Sequence, residues 1–391
     1  MHIAWLGKKS PFCGNVTYGR EVTNALLERG HHVSFLHFAQ EESVAELLPE
    51  ELQEVSIPCL YKSQIYTIPS PKASRVLSQA LRRLKPDVVH ASLTLSPLDF
   101  VLPEICEELN LPLVATFHPP FDRKRRNLTS GTQHLMYQLY APCLANYQRV
   151  IIFSEIQRDL LMRLGVPQDR LAVIPNGVDV ERYSPGLSRL KSELDARRLF
   201  VYQGRIATEK NVESLLKAWK QSDMGEGSKL AIVGSGPLAH TLMPFYGSDL
   251  GIIWLGFIAD EQRRIEILRG ADIFILPSLV EGLSLSLLEA MACGAACLAT
   301  DAGADGEVLD DGAGVVLSTQ RVSTQLQTLL PMFRDHPELT ALLGRKARQR
   351  VLDRYTLTRN ITRLEELYRD LLLNHRTYLA SSGLFGRDEA G

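Results

Sequence analysis

Short apolar runs alternate with amphipathic segments along the chain, and this alternation limits the possible folds more than any other feature. The runs have the length and apolar content of buried strands. They are residues 2–7, 32–38, 87–92, 113–118 and 149–154, followed by 199–204, 229–234, 252–256, 272–278, 295–300 and 314–317. Segments with helical periodicity lie between many of them, notably residues 16–30, 101–109, 212–221 and 260–269. After the last strand, residues 321–376 are almost entirely helical in pattern. Such alternation predicts parallel sheets covered by helices on both faces.

The length and one turn-rich segment together predict two domains. A chain of 391 residues exceeds one ordinary core. The connector IPNGVDVERYSPGLSRL, residues 174–190, separates the two series of strands and places the boundary near Asp179. We predict an α/β fold of two facing Rossmann-like, doubly wound domains, with ligands bound in the cleft between them. The expected parts are domains at residues 1–178 and 179–356, a helix at about 357–376 that packs back on the first domain, and a mobile tail at 377–391.

Composition argues against several classes of protein. The net charge of −2 is unlike the basic excess of a dedicated nucleic-acid binder. The six cysteines form no CxxC pair, which disfavours a zinc site or a disulfide framework. The first residues lack a signal-peptide pattern, and no apolar run approaches the roughly 20 residues that span a bilayer. The expected location is therefore cytoplasmic.

The stretch LPSLVEGLSLSLLEAMACG, residues 276–294, predicts an anion site at the start of a helix. Gly282 permits a sharp turn, and the N–H groups of residues 283–286 are expected to be free at the helix N-terminus. Such groups and the helix dipole attract phosphate. Ser284 and Ser286 are also suited to capping the helix.

Two carboxylates flank this predicted anion site. Glu281 precedes the turn, where it is expected to accept hydrogen bonds from neutral hydroxyls beside the phosphate. Glu289 lies about 9 Å further along the helix axis than residue 283. A nucleotide-sugar, with a hexose at one end and a ribose at the other, suits this arrangement. The alternative is a helix-dipole partner together with a buried salt bridge.

Cations for a diphosphate are present after the first strand of the second domain. The segment YQGRIATEKN, residues 202–211, places Arg205 and Lys210 on a loop and at the next helix start. Arginine supplies forked donors to phosphate oxygens, and lysine supplies a point charge. The glycines of GSGPLAH, residues 234–240, fit either a phosphate loop or an ordinary tight turn.

These segments together resemble one enzyme family. GRIATEKN, IVGSGP, WLGF, ILPSLVEGLSLSLLEAMACG and ATDAGADGEVL, with IPNGVD and TFH (116–118), are similar in content and order to the retaining nucleotide-sugar glycosyltransferases of family four, which have the GT-B fold. The resemblance spans nearly the whole chain. It implies a hexosyltransferase of two Rossmann-like domains.

The resemblance assigns a role to each matching residue. Glu281 would contact the donor-sugar hydroxyls, and Glu289 the ribose. Arg205 and Lys210 would bind the pyrophosphate and stabilise the departing nucleotide diphosphate. The remaining assignments are His118 near the transferred sugar, Gly14 where backbone approaches the phosphate, Phe257 and Ile258 at the nucleobase, and Gly282, Leu283 and Ser284 at the donor.

The sequence departs from the family pattern in two places. The usual Glu-Gly-Phe-Gly reads EGLS, with Leu283 and Ser284 in place of an aromatic residue and a glycine. The glycine pair common after the first strand is reduced to Gly14. Both departures concern the shape of the donor-sugar pocket.

The resemblance also implies a mechanism. It suggests front-face substitution in which the leaving phosphate helps to deprotonate the acceptor, with His118 orienting substrate. No Asp-x-Asp motif occurs, so no metal and no other cofactor are expected. Arg205, Lys210 and the helix N-terminus would then stabilise the phosphates electrostatically.

The acceptor is predicted from basic and aromatic segments of the first domain. Residues 61–85 contain six cations and no acid, FDRKRRN occupies 121–127, and the aromatic-rich HLMYQLYAPCLANYQ occupies 134–148. Each cation near an anionic membrane contributes about 1 kcal/mol. We therefore expect a peripheral enzyme that glycosylates a lipid headgroup; a solvated loop beside a buried helix is the alternative.

The opening IAWLGKKSPFCGNVTYGRE resembles the cyanobacterial type of digalactosyldiacylglycerol synthase. That resemblance implies UDP-galactose as the donor and monogalactosyldiacylglycerol as the acceptor. A soluble sugar or polysaccharide acceptor is the alternative within the same class. A nucleotide-sugar epimerase or a catalytically silent nucleotide-sugar-binding protein would be alternatives of other classes.

Overall fold

The computed structural model describes residues 1–10, 13–40, 52–121 and 128–381. The chain divides into two compact units, each an α/β domain built on one sheet. The N-terminal unit comprises Met1–Pro119, His134–Pro175 and the chain from Asn360 onward, and the C-terminal unit comprises Pro120–Gln133 and Asn176–Arg359. The boundary predicted after residue 178 lies three residues beyond this division at Pro175.

Within the described residues, the sheet of the N-terminal unit has eight strands. They are β1 (His2–Gly7), β2 (His32–Ala39), β3 (Leu52–Lys62), β4 (Thr67–Pro69), β5 (Val88–Ser92), β6 (Leu113–Thr116), β7 (Arg149–Ile152) and β8 (Leu171–Val173). Their order is β4-β3-β2-β1-β5-β6-β7-β8, and β4 is the one antiparallel member among these eight. The chain therefore winds outward in both directions, and the switch lies between β1 and β5.

The sheet of the C-terminal unit has six parallel strands. They are β9 (Arg198–Gln203), β10 (Ser228–Val233), β11 (Ile252–Gly256), β12 (Ile273–Leu276), β13 (Ala296–Thr300) and β14 (Val315–Leu317). Their order is β11-β10-β9-β12-β13-β14, so the winding reverses between β9 and β12. The predicted pair of Rossmann-like α/β sheets is thus confirmed.

Helices separate most of these strands. They are α1 (Gly14–Glu28), α2 (Ala73–Leu84), α3 (Leu98–Glu108), α4 (Leu128–Leu144), α5 (Glu155–Arg163), α6 (Leu190–Glu193), α7 (Val212–Gln221), α8 (Ala239–Leu242), α9 (Glu261–Gly270), α10 (Leu285–Ala292), α11 (Asp305–Leu309), α12 (Val322–Asp335), α13 (Pro337–Arg354) and α14 (Leu357–Ser381). The predicted helix at 212–221 coincides with α7, which buries Leu215, Leu216 and Trp219 as its periodicity requires.

Three predicted strands end earlier than expected. The runs 113–118, 149–154 and 272–278 leave their sheets at Thr116, Ile152 and Leu276. In the second case the cause is local, because Ser154 caps α5 by accepting a hydrogen bond from the N–H of Gln157 at 3.1 Å. Apolar residues thus continue past the strand end into turns that are themselves buried.

Three strands were not predicted, and all lie toward the edges of the first sheet. Polar residues and Pro58 interrupt the apolar pattern of β3, while β4 and β8 contain three residues each. Edge strands bury less surface than central ones, so their sequences carry a weaker apolar signal.

The C-terminal helix α14 is tied to the N-terminal unit by polar contacts. The Tyr368 hydroxyl lies 2.5 Å from Nδ1 of the buried His90. Glu365 pairs with Arg29 at 3.0 Å and with His31 at 2.8 Å. The helix extends to Ser381, so residues 377–381, predicted to be a mobile tail, are helical; the HRTYLAS sequence contains no glycine or proline that would end the helix earlier. Residues 382–391 lie outside the described residues.

Candidate functional site

The candidate site of the C-terminal unit lies where its winding reverses. Strands β9 and β12 are neighbours in the sheet although two strands separate them in sequence. Their carboxyl ends lead into the loops 204–211 and 277–284. In open α/β sheets ligands bind at such a switch point, because the two loops diverge and leave a crevice. Most of the predicted donor-site residues lie on these two loops or on the helix that follows the second.

An ion pair joins the two loops. Nζ of Lys210 lies 2.6 Å from Oε1 of Glu281, with the lysine side chain 23% and the glutamate side chain 9% exposed. Two hydrogen bonds between the loops reinforce the pair: the backbone N–H of Leu279 donates to the Glu209 carbonyl at 2.8 Å, and the side-chain Nδ2 of Asn211 donates to the Pro277 carbonyl at 3.1 Å. The structure therefore brings together two of the predicted site residues from segments about seventy positions apart.

The turn at residues 281–283 is held by donors from three other segments. The Glu281 carbonyl accepts from the N–H of Phe121 at 3.2 Å, and the Gly282 carbonyl accepts from the N–H of Ala304 at 2.7 Å. The Leu283 carbonyl accepts from Nδ2 of Asn176 at 2.9 Å, and Asn176 is buried. Three successive carbonyls are thus satisfied by protein donors, which fixes the backbone of the turn.

The expectation of free N–H groups throughout residues 283–286 is wrong at Ser284. Its N–H donates to Oδ1 of Asp305 at 2.9 Å. Its side chain caps α10 by accepting from the N–H of Leu287 at 3.3 Å, as the sequence allowed. A carboxylate contributed by a distant loop already occupies this donor, and local sequence carries no signal for that contact.

Asp305 is a functional candidate that the sequence analysis missed. It is 1% exposed, and its Oδ2 has no hydrogen-bond partner among the described residues. Burial, followed by the nearby charge of Glu281, raises the pKa of Asp305 well above its usual value. Its loop approaches closely: Gly303 has φ +59°, and a Cβ there would lie 2.1 Å from the Glu281 carbonyl oxygen. A side chain at Gly303 would separate Asp305 from the turn.

The other predicted phosphate and ribose residues have local partners. Arg205 pairs with Glu209 at 3.2 Å, and its carbonyl accepts from the Tyr202 hydroxyl at 2.8 Å. Glu289, on α10, accepts from Nε2 of Gln203 at 3.1 Å. Because Gln203 ends β9 and Glu289 follows β12, this contact also bridges the switch point.

The predicted nucleobase residues follow β11. Phe257 is 59% exposed, while the Ile258 carbonyl accepts from the Arg264 guanidinium at 3.0 Å. That contact occupies one lone pair of a backbone carbonyl at the predicted nucleobase position.

In the GSGP segment, the structure favours the tight-turn alternative, because the glycines allow two loops to pack closely. A Cβ at Gly234, where φ is +135°, would lie 1.9 Å from the Gly204 carbonyl oxygen. The following helix α8 is a single turn of four residues. These glycines let the 234–238 loop pack against the 204–211 loop.

In the N-terminal unit, a chain of hydrogen bonds orients His118. Nδ2 of Asn15 donates to the Leu93 carbonyl at 3.1 Å, which leaves Oδ1 of Asn15 to accept from the Ser92 hydroxyl at 2.8 Å. Ser92 then has no second proton to donate, so Nε2 of His118, 2.8 Å away, must carry the proton of that contact. The chain assigns His118 the Nε2–H tautomer.

His118 is held neutral. Burial, with a smaller effect from the charge of Lys8, lowers the pKa of His118 to about 3. Its ring packs edge-on against Tyr18, with centroids 4.9 Å apart. A neutral imidazole of fixed tautomer is suited to orienting a substrate hydroxyl. Gly14, the other predicted residue of this unit, begins α1, and a Cβ there would meet nothing within 4 Å.

A second buried histidine lies beside this chain. Nε2 of His90 is 2.7 Å from the Thr116 hydroxyl, and its ring stacks on Trp5 with centroids 4.0 Å apart. Burial lowers the pKa of His90 to about 3. Because its two nitrogens contact Thr116 and Tyr368, this histidine has a structural role in joining β5, β6 and α14.

The segments predicted to face a lipid acceptor differ in how much of their aromatic and apolar surface is exposed. The tyrosines of the 134–148 segment are buried, and Tyr140 and Tyr147 donate to Asp99 at 3.0 and 2.7 Å. The same segment exposes Leu135 and Leu139 at 64% and 60%. The basic residues 122–127 lie outside the described residues. Across the described part of the chain, no helix has the length and apolar character needed to cross a bilayer.

Two family models match the chain. The model for Glycosyltransferase Family 4 matches residues 14–182, and the model for Glycosyl transferases group 1 matches residues 188–350. Each match falls almost entirely on one of the two series of strands.

Curated relatives are similar over most of the chain. The UDP-Gal:alpha-D-GlcNAc-diphosphoundecaprenol alpha-1,3-galactosyltransferase of Escherichia coli is 25% identical over 85% of this chain and 87% of its own length. The sulfoquinovosyl transferase SQD2 of Arabidopsis thaliana is 25% identical over 75% of this chain and 58% of its own length. The alpha-monoglucosyldiacylglycerol synthase of Streptococcus pneumoniae is 27% identical over 70% of this chain and 65% of its own length.

Solved structures show the same fold. Sucrose-phosphate synthase from Thermosynechococcus elongatus superposes with a TM-score of 0.77 at 19% identity, covering 95% of this chain and 99% of that one. HepE of Anabaena in complex with UDP-glucose superposes with a TM-score of 0.75 at 17% identity, covering 95% of this chain and 100% of that one.

We predict that Asp305→Asn makes the protein more stable than the wild type at neutral pH. An acid whose pKa is raised by folding binds its proton more tightly when folded, so stability is lost as pH rises above the unfolded value of 3.8. Asparagine keeps the acceptor for the Ser284 N–H and cannot ionise. Urea unfolding measured at several pH values between 4 and 8 should therefore show that the variant's gain in unfolding free energy over wild type increases with pH.

Asp249, replaced by asparagine, is the control in the same unit, because its side chain is exposed and the substitution removes no carboxyl group from the interior. A gain at Asp305 that does not depend on pH would contradict the assigned direction of the pKa shift.

We predict that Ser92→Ala releases the tautomer of His118. The substitution removes the acceptor for the Nε2–H, so nitrogen NMR of labelled histidine should change from the Nε2–H form to a mixture while the ring stays neutral at pH 7. Ser34→Ala is the matched control, because Ser34 lies 2.8 Å from the ring of a different histidine, His2. An unchanged His118 spectrum in Ser92→Ala would show that another group fixes the tautomer.

Proposed function

The chain belongs to the family four (group 1) glycosyltransferases, and on that premise we propose that it transfers galactose from UDP-galactose to a membrane glycolipid headgroup with retention of configuration. The observation that carries the donor half of this proposal is the Lys210–Glu281 pair at the switch point of the C-terminal sheet. It places a cation and a hydroxyl acceptor side by side where α/β sheets bind ligands.

The donor would bind by replacing internal partners with its own groups. Lys210 and Arg205 both pair with carboxylates in the described structure. A pyrophosphate is a stronger, doubly charged partner for both cations. As Lys210 turns to the phosphate, Glu281 becomes available to accept hydrogen bonds from the sugar hydroxyls.

The fixed turn at 281–284 supports this assignment. Its carbonyls are satisfied by Phe121, Ala304 and Asn176, so the turn does not need to reorganise when the sugar arrives. Preorganised groups of this kind stabilise a transition state without the energetic cost of reorientation. Leu283, 7% exposed, would contribute an apolar wall in place of the family's aromatic residue.

The transfer step would proceed on one face of the sugar. The bond from the anomeric carbon to the phosphate oxygen breaks, and the acceptor hydroxyl forms a bond on the same face. The proton of that hydroxyl passes to the departing phosphate. Arg205 and Lys210 would stabilise the negative charge that develops on the leaving group, and no metal is required in this scheme.

His118 fits an orienting role in this scheme. Its low pKa keeps it neutral, and its Nε2–H is directed at Ser92. A neutral ring with its protonated nitrogen engaged offers Nδ1 as an acceptor for a sugar hydroxyl. Proton abstraction is left to the phosphate.

The acceptor half of the proposal rests on relatives and charge. By their names, the Escherichia coli relative acts on a diphosphoundecaprenol-linked sugar and the pneumococcal relative is a diacylglycerol glycolipid synthase. Residues 61–85 carry six cations without an acid, which favours an anionic membrane surface. The Escherichia coli relative also names UDP-Gal as its donor, in agreement with the resemblance of the opening residues.

We predict a labelled galactolipid when the protein is incubated with labelled UDP-galactose and total membrane lipid. Parallel reactions contain UDP-glucose or GDP-mannose, and a soluble sugar panel replaces the lipid in a third set. Chromatography and mass spectrometry identify the product, and NMR of its anomeric proton reports whether configuration is retained.

Each outcome decides between the alternatives. Label in a soluble sugar alone would support the soluble-acceptor hypothesis. Conversion of one nucleotide-sugar to another without transfer would indicate an epimerase. UDP binding with no turnover on any acceptor would indicate a silent binding protein.

We predict that Lys210→Met weakens UDP binding by roughly tenfold to a hundredfold, because a charge-assisted hydrogen bond contributes about 1.5–3 kcal/mol. Calorimetric titration with UDP measures the change. Lys217→Met is a matched control, since Lys217 forms an ion pair of the same length, 2.6 Å, with Glu213 on α7. Equal UDP affinity in wild type and Lys210→Met would remove Lys210 from the phosphate site.

A further inference from the structure

An apolar hairpin projects from the edge of the first sheet. Strands β3 and β4 pair in antiparallel fashion, with Tyr61 opposite Ile68 and Lys62 opposite Thr67. The register shifts between Cys59 and Tyr61, so the chain bulges there. We call residues 59–69 the β3–β4 hairpin. Its strand β4 is the outermost strand of the sheet.

The hairpin exposes five large apolar side chains within nine residues. They are Leu60 (63% exposed), Tyr61 (46%), Ile65 (62%), Tyr66 (44%) and Ile68 (41%). The rings of Tyr61 and Tyr66 lie 5.6 Å apart, Ile68 is paired with Tyr61, and Leu60 and Ile65 are the chain neighbours of the two tyrosines; we call the five side chains the cluster. Scattered exposed apolar residues are ordinary, whereas a contiguous patch indicates an interaction surface.

The bulge and the pairing determine which strand side chains of the hairpin are exposed. Opposed residues of an antiparallel pair share a face, which puts Tyr61 with Ile68 on the exposed side. Leu60 is exposed by the ordinary alternation after the buried Cys59, and because Leu60 is the extra residue of the bulge, the next residue, Tyr61, is exposed as well. Thr67 and Ile57 are buried on the opposite side.

The turn of the hairpin is held rigidly. Nζ of the buried Lys8 donates to the carbonyls of Ser63 and Gln64 at 3.1 and 3.4 Å. The Ser63 hydroxyl oxygen accepts from the N–H groups of Ile65 and Tyr66 at 3.2 and 3.1 Å. The tip therefore presents its apolar side chains without further ordering, which lowers the entropic cost of binding.

The segment that contains most of the hairpin and the following helix α2 is basic. Residues 61–85 contain Lys62, Lys72, Arg75, Arg82, Arg83 and Lys85 and no acidic residue. Lys72 and Arg75 are exposed at the start of α2, directly after the hairpin. Exposed isoleucine, leucine and tyrosine side chains together with cations in the same segment are the residue types that favour a membrane interface.

We propose that the β3–β4 hairpin inserts its apolar face into the surface of an anionic lipid bilayer and so docks the N-terminal unit on the membrane. Hydrophobic burial of the five side chains supplies attachment, and the neighbouring cations attract anionic headgroups. The inference rests on the hairpin itself and does not require the proposed donor or acceptor to be correct.

Two other occupants fit the surface less well. A partner strand would pair with β4, but β4 has three residues and ends at Pro69, which has no N–H to donate. A second copy of this chain would bring the same six cations, without an acid, to a symmetric interface. The repulsion between like charges disfavours that arrangement.

Vesicle binding tests the proposal with the full chain. Phosphatidylcholine vesicles with and without phosphatidylglycerol are floated on a density gradient with wild type and with the double variant Leu60→Ser/Ile65→Ser. Wild type should bind the anionic vesicles, and the double variant should bind about tenfold more weakly or worse, since two apolar side chains no longer enter the bilayer. Raised salt should weaken wild-type binding without abolishing it.

Control variants separate insertion from other effects. Leu187→Ser replaces a leucine that is 98% exposed in the C-terminal unit and should leave binding unchanged. Ile65→Asp, at an exposed turn position, should abolish binding and gives a second test if the double variant unfolds. Circular dichroism checks folding, and light scattering reports the oligomeric state of every variant.

Several outcomes would overturn the proposal. It is overturned if wild type does not bind anionic vesicles, or if the hairpin variants bind them as well as Leu187→Ser does. Dimers in the wild type that become monomers in Ile65→Asp would assign the hairpin to self-association instead. If the hairpin variants lose transfer to lipid in vesicles but retain normal transfer to the same lipid dispersed in detergent, docking by the hairpin is supported. Absence of transfer in every form would refute the proposed function and leave the vesicle result standing.

Discussion

The contact between Lys210 and Glu281 is the interaction on which the candidate site depends. It joins the loops after β9 and β12, the two strands between which the second sheet reverses its winding. Parallel strands bring these loops to one edge, and the ion pair then sets their separation. The same pair holds a cation and a carboxylate in one place before any ligand arrives. Folding of this unit alone therefore establishes the charge arrangement of the candidate site.

Around that pair, the backbone of residues 281–284 is fixed by segments that are far away in sequence. Phe121, Asn176 and Ala304 donate to successive carbonyls, and Asp305 accepts from the N–H of Ser284. The cost of this arrangement is a buried carboxyl group beside Glu281, which raises the pKa of Asp305. The turn is therefore rigid and lies beside two carboxyl groups. Preorganised polar groups of this kind can stabilise a charged transition state more than the ground state.

The N-terminal unit uses its buried polar groups differently. Asn15 and Ser92 fix the tautomer of His118, while His90 joins the sheet to Tyr368 of α14. Two neutral histidines of similar pKa thus serve separate purposes. The edge of the same sheet carries the apolar β3–β4 hairpin, whose rigid turn depends on the buried Lys8. A candidate site residue, a structural histidine and the proposed docking surface are all positioned by one sheet.

The sequence by itself determined the fold class and the eleven apolar strands, and it predicted the residues of the candidate site at the strand ends. Burial of both faces of a parallel sheet requires continuous apolar runs, and phosphate and sugar hydroxyls require particular side chains at strand ends. Tertiary structure alone decided the pairing of Lys210 with Glu281, the roles of Asp305 and Asn176, the tautomer of His118 and the edge strands β3, β4 and β8. These features depend on contacts between distant segments or on weakly buried edges, and neither leaves a local pattern in the sequence.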